Sequence, residues 1–199
     1  MPHPDATKWN ALYRSEPQRS VSRAAHALLT SHIDLLPTPG LALDAACGTS
    51  PTGLYLARHH WRVIGLDVAE GALRIAKTQA RNETLSISFA VMDLADTWLP
   101  ESKFDVILDF YYLSRPLWVQ YKKSLKPGGL LFFETFVWHP GIELNPEHYL
   151  HSDELRQAFL DWDILHYEEP NRQHDPHLVR KIAQLIARKL RNQESNKNK

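Results

Sequence analysis

The feature that most constrains this chain is an alternation. Short, almost wholly apolar runs (Leu41–Ala45, Arg62–Leu66, Phe104–Phe110 and Leu130–Phe136) are separated by stretches whose apolar residues recur at helical spacing. A strand that is apolar on both faces has to be covered on both faces. Such strands alternating with helices predict an α/β fold, a mostly parallel sheet between two helical layers. Ile87, Phe89 and Val91 add a strand by strict alternation, and Trp162–Glu168 reads as a late one. Helices are expected over Ser20–Leu36, Pro51–His60, Ala69–Ala80 and Pro116–Leu125, and from a Ser152 cap through Phe159. Lys126-Pro-Gly-Gly129 reads as a turn. Residues 181–190 fit a helical stripe through Ile182, Leu185, Ile186 and Leu190, and also an alternating strand through Ala183, Leu185 and Ala187. A final strand beside Trp162–Glu168 would complete the sheet, so the strand is preferred.

Composition narrows the function classes. With 199 residues, 43% hydrophobic and 23% charged, the chain is expected to form one soluble domain with a sizeable core. Its 23 Lys and Arg balance 23 Asp and Glu, which leaves no broad positive field for nucleic acid or an anionic membrane. Arg180, Lys181, Arg188, Lys189, Arg191, Lys197 and Lys199 gather near the end and read as a solvated face and tail. Cys47 is the only cysteine, so an internal disulfide is excluded and a reducing compartment fits. The opening M-P-H-P-D-A-T-K-W-N lacks a signal pattern, and no apolar run approaches the ~20 residues of a membrane span. A cytoplasmic protein, monomer or homodimer, is the expectation. His148 and His151, like His174 and His177, are three apart, but no cysteine or carboxylate completes a tetrahedral set, so no metal is expected.

In parallel sheets of this kind ligands sit at the carboxyl ends of the strands. After the first strand comes Asp44-Ala-Ala-Cys-Gly-Thr-Ser-Pro. Gly48 supplies a permissive backbone, Ser50 reads as an N-cap, Pro51 as a first helical residue, and Gly53 allows close packing one turn in. Asp67 ends the second strand about 20 residues beyond Gly48, where a carboxylate can accept from a ribose diol. After the third strand, Asp93 can accept from an adenine amino group while Met92 and Leu94 offer apolar faces. The fourth strand ends in Asp109-Phe-Tyr-Tyr-Leu-Ser-Arg115, and the fifth in Glu134-Thr-Phe-Val-Trp-His.

Taken together, the glycine loop, Asp67, Asp93, Asp109 and L-K-P-G-G before the fifth strand resemble the class I S-adenosylmethionine-dependent methyltransferases. L-D-A-A-C-G-T-S is similar to that family's L-D-x-G-C-G-T-G, with Asp44 and Gly48 matching and Ala46 and Ser50 replacing glycines. The short chain, W-N-A-L-Y-R near the start and the E-T-F end of the fifth strand resemble the small tellurite-resistance-type methyltransferases within that class.

The resemblance implies a Rossmann-like seven-stranded sheet, order 3-2-1-4-5-7-6, with the last strand antiparallel. It implies S-adenosylmethionine as cofactor and S-adenosylhomocysteine as product. Asp44, Ala46 and Gly48 would meet the methionine end. Asp67 would hold the ribose hydroxyls, Val68 would also belong to the cofactor site, and Asp93 would meet the adenine amino group with Met92 and Leu94 beside the ring. Asp109 or the Phe110 backbone would meet the methionine amino group. Trp9, Tyr13, Tyr111, Tyr112, Arg115 and Phe136 would form the acceptor pocket, with Tyr111, Arg115 and His139 as positioning candidates and no catalytic residue assigned. The expected organisation is a single domain over 1–199: a lid and helix over 1–36, a cofactor-binding core over 41–136, a substrate-side insertion with C-terminal strands over 137–191, and a disordered tail over 192–199.

The activity implied is in-line methyl transfer to a small-molecule acceptor: a thiol, a chalcogen oxyanion, or a small acid or phenol. Three rivals stand beside it. A nicotinamide dehydrogenase lacks its middle glycine and a second domain. An RNA methyltransferase lacks basic charge and carries D-F-Y-Y after the fourth strand. A non-catalytic cofactor-binding protein acting through a partner shares every motif.

Overall fold

A computed structural model of the chain describes residues 4–15, 24–139, 148–175 and 178–191. An eight-stranded sheet organises it. The strands are β1 (Leu41–Ala45), β2 (Arg62–Asp67), β3 (Ile87–Val91), β4 (Phe104–Phe110), β5 (Leu125–Phe136), β6 (Asp163–Glu168), β7 (Asn171–Asp175) and β8 (Leu178–Arg188). Their order is β3-β2-β1-β4-β5-β8-β6, with β7 paired to β8 off this path. The first five are parallel, and β8 runs antiparallel to both β5 and β6. Counted without β7, this is the expected order, and residues 181–188 are strand. β7 is the addition: with β8 it makes a hairpin beyond Phe136, at the carboxyl edge of the parallel strands.

Apolar residues fill both faces because each strand feeds two cores. Leu43, Ile107, Leu131 and Phe133 enter one layer with Leu117, Tyr121 and Phe159. Their neighbours Ala42, Val106, Leu108 and Phe132 enter the opposite layer with Leu28, Leu29, Leu56 and Trp61. Each large side chain buried this way contributes about 1.5–3 kcal/mol, so both helical layers are held by the same strands.

The helices are α1 (Pro4–Ser15), α2 (Ala27–Thr30), α3 (Pro51–Arg58), α4 (Glu70–Asn82), α5 (Arg115–Ser124) and α6 (Glu154–Ala158). Leu73, Ala76 and Ala80 face inward on α4 as their spacing predicts. Several expectations need correction. Of the long helix expected over Ser20–Leu36, residues 20–23 lie outside the described residues, and residues 24–36 form only α2 and a 3-10 turn at Ile33–Leu35. His26 is extended and caps α2, its ring accepting from the Leu28 N–H. Lys126-Pro-Gly-Gly129 is absorbed into β5 as an irregularity, with Leu125 opposite Phe104 and Leu130 opposite Val106. Ser152 does not cap α6; Asp153 occupies that position, and the Ser152 hydroxyl donates to Glu169. The N-terminal lid segment includes α1, which packs on α4. Val21, His177, Lys197, Lys199, residues 140–147 and the expected tail over 192–199 lie outside the described residues.

The basic residues along β8 do not form one face. Lys181 pairs with Glu169, Arg188 with Asp163, Lys189 donates to the Leu125 carbonyl, and Arg180 lies over the Phe136 ring. Among the described residues no helix is long and apolar enough to cross a membrane.

Candidate active site

The loop after β1 is wound unusually tightly. Ala46, Gly48 and Ser50 all have positive φ, at 48°, 55° and 55°. For Ala and Ser such a backbone costs on the order of 1–2 kcal/mol, and hydrogen bonds offset it. The Cys47 N–H donates to the Leu66 carbonyl at 3.0 Å, and the Gly48 N–H to Asp67 Oδ2 at 2.7 Å. Ser50 Oγ donates to Asp44 Oδ2 at 2.6 Å, and the Gly53 N–H to the same oxygen at 3.2 Å.

Ser50 therefore occupies the cap position of α3 without capping it through its side chain. Asp44, reaching across from β1, receives the helix's Gly53 N–H instead. Gly53 leaves the room: a Cβ there would come within 2.3 Å of Ser50 Oγ and 2.7 Å of Asp44 Oδ2. The serine that replaces a glycine points into this buried pair. It is fully buried and does not line the cleft.

That cleft opens at the carboxyl edge of the sheet and has a volume of about 270 Å³. Asp44, Ala46 and Gly48 line it from β1 and the loop after it, Asp67 and Val68 from the end of β2, and Met92, Asp93 and Leu94 from the turn after β3. Burial pushes the Asp44 carboxyl up to about 7, against the Ser50 and Gly53 hydrogen bonds, with the Asp67 charge adding to the rise. Burial also raises Asp67, although the Ala69 and Gly48 N–H groups each donate to it at 2.7 Å. Asp93 Oδ1 accepts from the Ala95 N–H at 2.9 Å, turning the chain at the cleft rim after β3. Trp9 and Tyr13 of α1 close the cleft from above, and Tyr111 and Tyr112 wall its far end.

Asp109, Arg115, Phe136 and His139 are placed elsewhere. Asp109 is buried beneath the cleft floor, accepting from the Tyr121 hydroxyl at 2.8 Å; Phe110 lines the cleft in its stead. Arg115 forks onto Glu154 at 2.5 and 2.8 Å and reaches the Tyr149 carbonyl, anchoring α6. Phe136 stands behind Tyr111, ring centroids 5.2 Å apart, and half-buried His139 is outside the lining.

Sequence reasoning missed His26, Glu134 as a hub, and Arg172. Glu134 is fully buried, yet Oε1 lies 3.2 Å from His26 Nε2 and 2.9 Å from Arg172 Nη1, while Gln184 donates to Oε2 at 2.6 Å. Burial raises its carboxyl, but His26, Gln184 and Tyr111 outweigh that and leave it below the usual carboxylate range. Arg172 also donates to the Tyr111 hydroxyl at 2.6 Å. Tyr111 itself sits at φ 65°, a strained setting for an aromatic residue. The one available signal was a glutamate inside an apolar strand, which has to find partners.

The methyltransferase domain family matches residues 42–129, which span β1 through the start of β5. In that region and in its fold the chain is similar to the S-adenosylmethionine-dependent methyltransferases. The chain is 31% identical over 129 residues to the 2-heptyl-1-hydroxyquinolin-4(1H)-one methyltransferase of Mycobacteroides abscessus, covering 59% of this chain and 56% of that one. It is 36% identical over 108 residues to a probable thiol methyltransferase of Arabidopsis thaliana, covering 49% and 46%. The chain thus spans about half the length of the curated relatives it matches. TehB from Haemophilus influenzae has the same fold, with a TM-score of 0.75 and 21% identity over 87% of this chain and 65% of that one.

Methyltransferases of this fold take S-adenosylmethionine as cofactor, and the residues here fit it. A Cβ on Gly48 would come within 2.7 Å of the Tyr13 hydroxyl, so the loop backbone stays bare beneath α1. Asp67 Oδ2 accepts from the Gly48 N–H and Oδ1 from the Ala69 N–H, and a carboxylate's roughly four lone-pair sites leave capacity for a diol. Among the described residues the raised carboxyls of Asp44 and Asp67 lack a cationic partner, and this cofactor carries positive charge.

Proposed function

We propose that the protein transfers a methyl group from S-adenosylmethionine to a small-molecule acceptor: a thiol, a chalcogen oxyanion, or a small acid or phenol. The observation that carries this reading is a single cleft with acidic tips of β1, β2 and β3 at one end and aromatic rings after β4 at the other. Asp44 and Gly48 would meet the methionine portion, Asp67 the ribose hydroxyls, and Asp93 the adenine amino group between Met92 and Leu94. Residues 4–15 act as a lid, residues 41–136 hold the cofactor, and the later strands shape the acceptor side.

When bound, the cofactor supplies a methyl on a sulfonium that is already a good leaving group. The chain's residues have to bind, align and exclude water. Alignment of reacting groups contributes about 7–11 kcal/mol. Rings such as Trp9, Tyr13, Tyr111 and Tyr112 favour a nearby cation by about 0.5–2 kcal/mol each. The names of the two curated relatives, a hydroxyquinolinone and a thiol methyltransferase, support a small acceptor. The pairing of the β8 basic residues with neighbouring groups supports it over RNA.

The test combines melting and turnover. S-adenosylhomocysteine at a hundredfold excess over its dissociation constant should add about 2.7 kcal/mol of stability. Asp67→Ala should abolish most of that shift, and an unchanged shift would remove the ribose assignment. Thiols, selenium and tellurium oxyanions, phenols and small acids are then screened for demethylated cofactor. Binding without turnover of any acceptor, together with a stoichiometric protein partner, would replace the enzyme with a binding module.

A further inference from the structure

His26 links four elements, and every polar atom of it is engaged. Its backbone N–H donates to Thr52 Oγ1 of α3 at 3.0 Å. Ring Nδ1 accepts from the Leu28 N–H of α2 at 3.2 Å, so that nitrogen carries no proton. The proton therefore sits on Nε2, which faces Glu134 Oε1 of β5 at 3.2 Å and the Tyr111 hydroxyl at 3.4 Å. The ring lies flat on Phe110 of β4, centroids 3.9 Å apart and planes 6° off parallel. The charged and titratable groups facing it are Glu134 from β5, Tyr111 after β4, and Arg172 from β7, which donates to both.

A general base needs an open lone pair within hydrogen-bond reach of the proton it removes. In this arrangement His26 has none. What it has is a fixed ring that lines the cleft and a chain of contacts to the two residues walling the acceptor end. We propose that His26 is a positioning residue for methyl transfer, holding Phe110, Tyr111 and the N-terminal segment in register with Glu134 and taking no proton from the acceptor. The proposal rests on the methyltransferase reading but not on any one acceptor.

Two measurements decide it. Nitrogen-15 imidazole spectra of the ligand-free protein near pH 7 should show the Nε2–H tautomer, with Nδ1 bare. An Nδ1–H tautomer overturns the proposal without any catalysis being measured. In turnover, His26→Ala should lower kcat/KM about tenfold to a hundredfold. The loss should be the same for acceptors of high and low acidity, and the pH profile should keep its shape. His26→Phe, which keeps the stack on Phe110, should recover part of the loss. A loss that vanishes for the most acidic acceptor, or an acid-side limb that disappears with the ring, would show a base. A variant that melts lower yet turns over unchanged would show a purely structural residue, and either result overturns the proposal. Should wild type show no S-adenosylhomocysteine shift, the methyltransferase reading fails, while the tautomer still decides His26.

Discussion

The two ends of the cleft handle buried carboxylates in opposite ways. At the end proposed for the cofactor, Asp44 and Asp67 are buried with hydrogen bonds but, among the described residues, without a cation, and burial raises both. At the end proposed for the acceptor, Glu134 is buried as deeply, yet donors from His26, Gln184 and Tyr111 draw it below its usual value. One end is left short of positive charge; the other is already balanced by the chain itself. The difference teaches where a ligand's charge belongs. A cationic ligand relieves the first end, while the second is a finished wall that shapes and orients.

The contrast breaks most sharply at Asp44. Its folded-state value, about 7, lies above the ordinary 3.8. Between about pH 4 and 7 the native state thus holds more protons than the unfolded state, and stability falls as pH rises through that window. Asn at this position can still accept from Ser50 and Gly53 but carries no charge. Asp44→Asn should match wild type near pH 4 and exceed it by about 4 kcal/mol at pH 8, as read from denaturant melts. The same variant should bind S-adenosylhomocysteine more weakly. Equal stability of the two proteins at pH 8 would contradict an uncompensated carboxyl. Glu134 runs the other way: its contribution is present above the ordinary value and lost as pH falls through the lowered one.

Glu134→Ala should come next in size. Removing one member of a buried ion pair costs about 3–5 kcal/mol. The low end applies here because the Arg172 side chain is 42% exposed and can turn to water. Glu134→Gln should recover part of the loss by accepting from the same donors. In both variants cofactor binding should persist while turnover falls, which separates the two ends functionally. Loss of S-adenosylhomocysteine binding in a folded Glu134→Gln protein would erase the distinction.

The same contrast explains what could be read from the sequence. Asp44, Asp67 and Asp93 each end a strand or stand just beyond it, so strand order alone brings them together. Glu134 meets partners 108, 38 and 50 residues away in His26, Arg172 and Gln184. No local pattern predicts such contacts. Fold order was legible because an apolar strand has few ways to be covered. The β7 hairpin and α1 were not, since their patterns are polar and their packing is tertiary. Ser50 was misread for a subtler reason: helix-start chemistry fits its position, but its backbone is left-handed and its hydroxyl turns to Asp44. Ser50→Gly relaxes that backbone by on the order of 1–2 kcal/mol and loses a buried hydrogen bond worth about 1.5–3 kcal/mol to a charged group. A net loss of about 1 kcal/mol is expected, with cofactor affinity unchanged, because Ser50 does not line the cleft. A large affinity change would mean that the loop, and not the serine's partner, determines binding.

The smallest expected effect tests how the cofactor end is closed. Ala69 holds the cap position of α4 and has no side-chain acceptor to offer. Asp67 Oδ1 takes the Ala69 N–H, and Asn10 Oδ1, from α1, takes the Gly71 N–H at 3.0 Å. The helix behind Asp67, the carboxylate proposed for the ribose, is thus capped by the segment that covers the cleft. An N-cap is worth about 0.5–2 kcal/mol, and at this part-buried contact the lower value applies. Asn10→Ala should weaken S-adenosylhomocysteine binding about threefold and speed its release. Asn10→Asp should restore binding, since a carboxylate suits a helix start. If Asn10→Ala lowers stability but leaves the release rate unchanged, α1 caps α4 without closing the cleft, and the covering role of residues 4–15 fails.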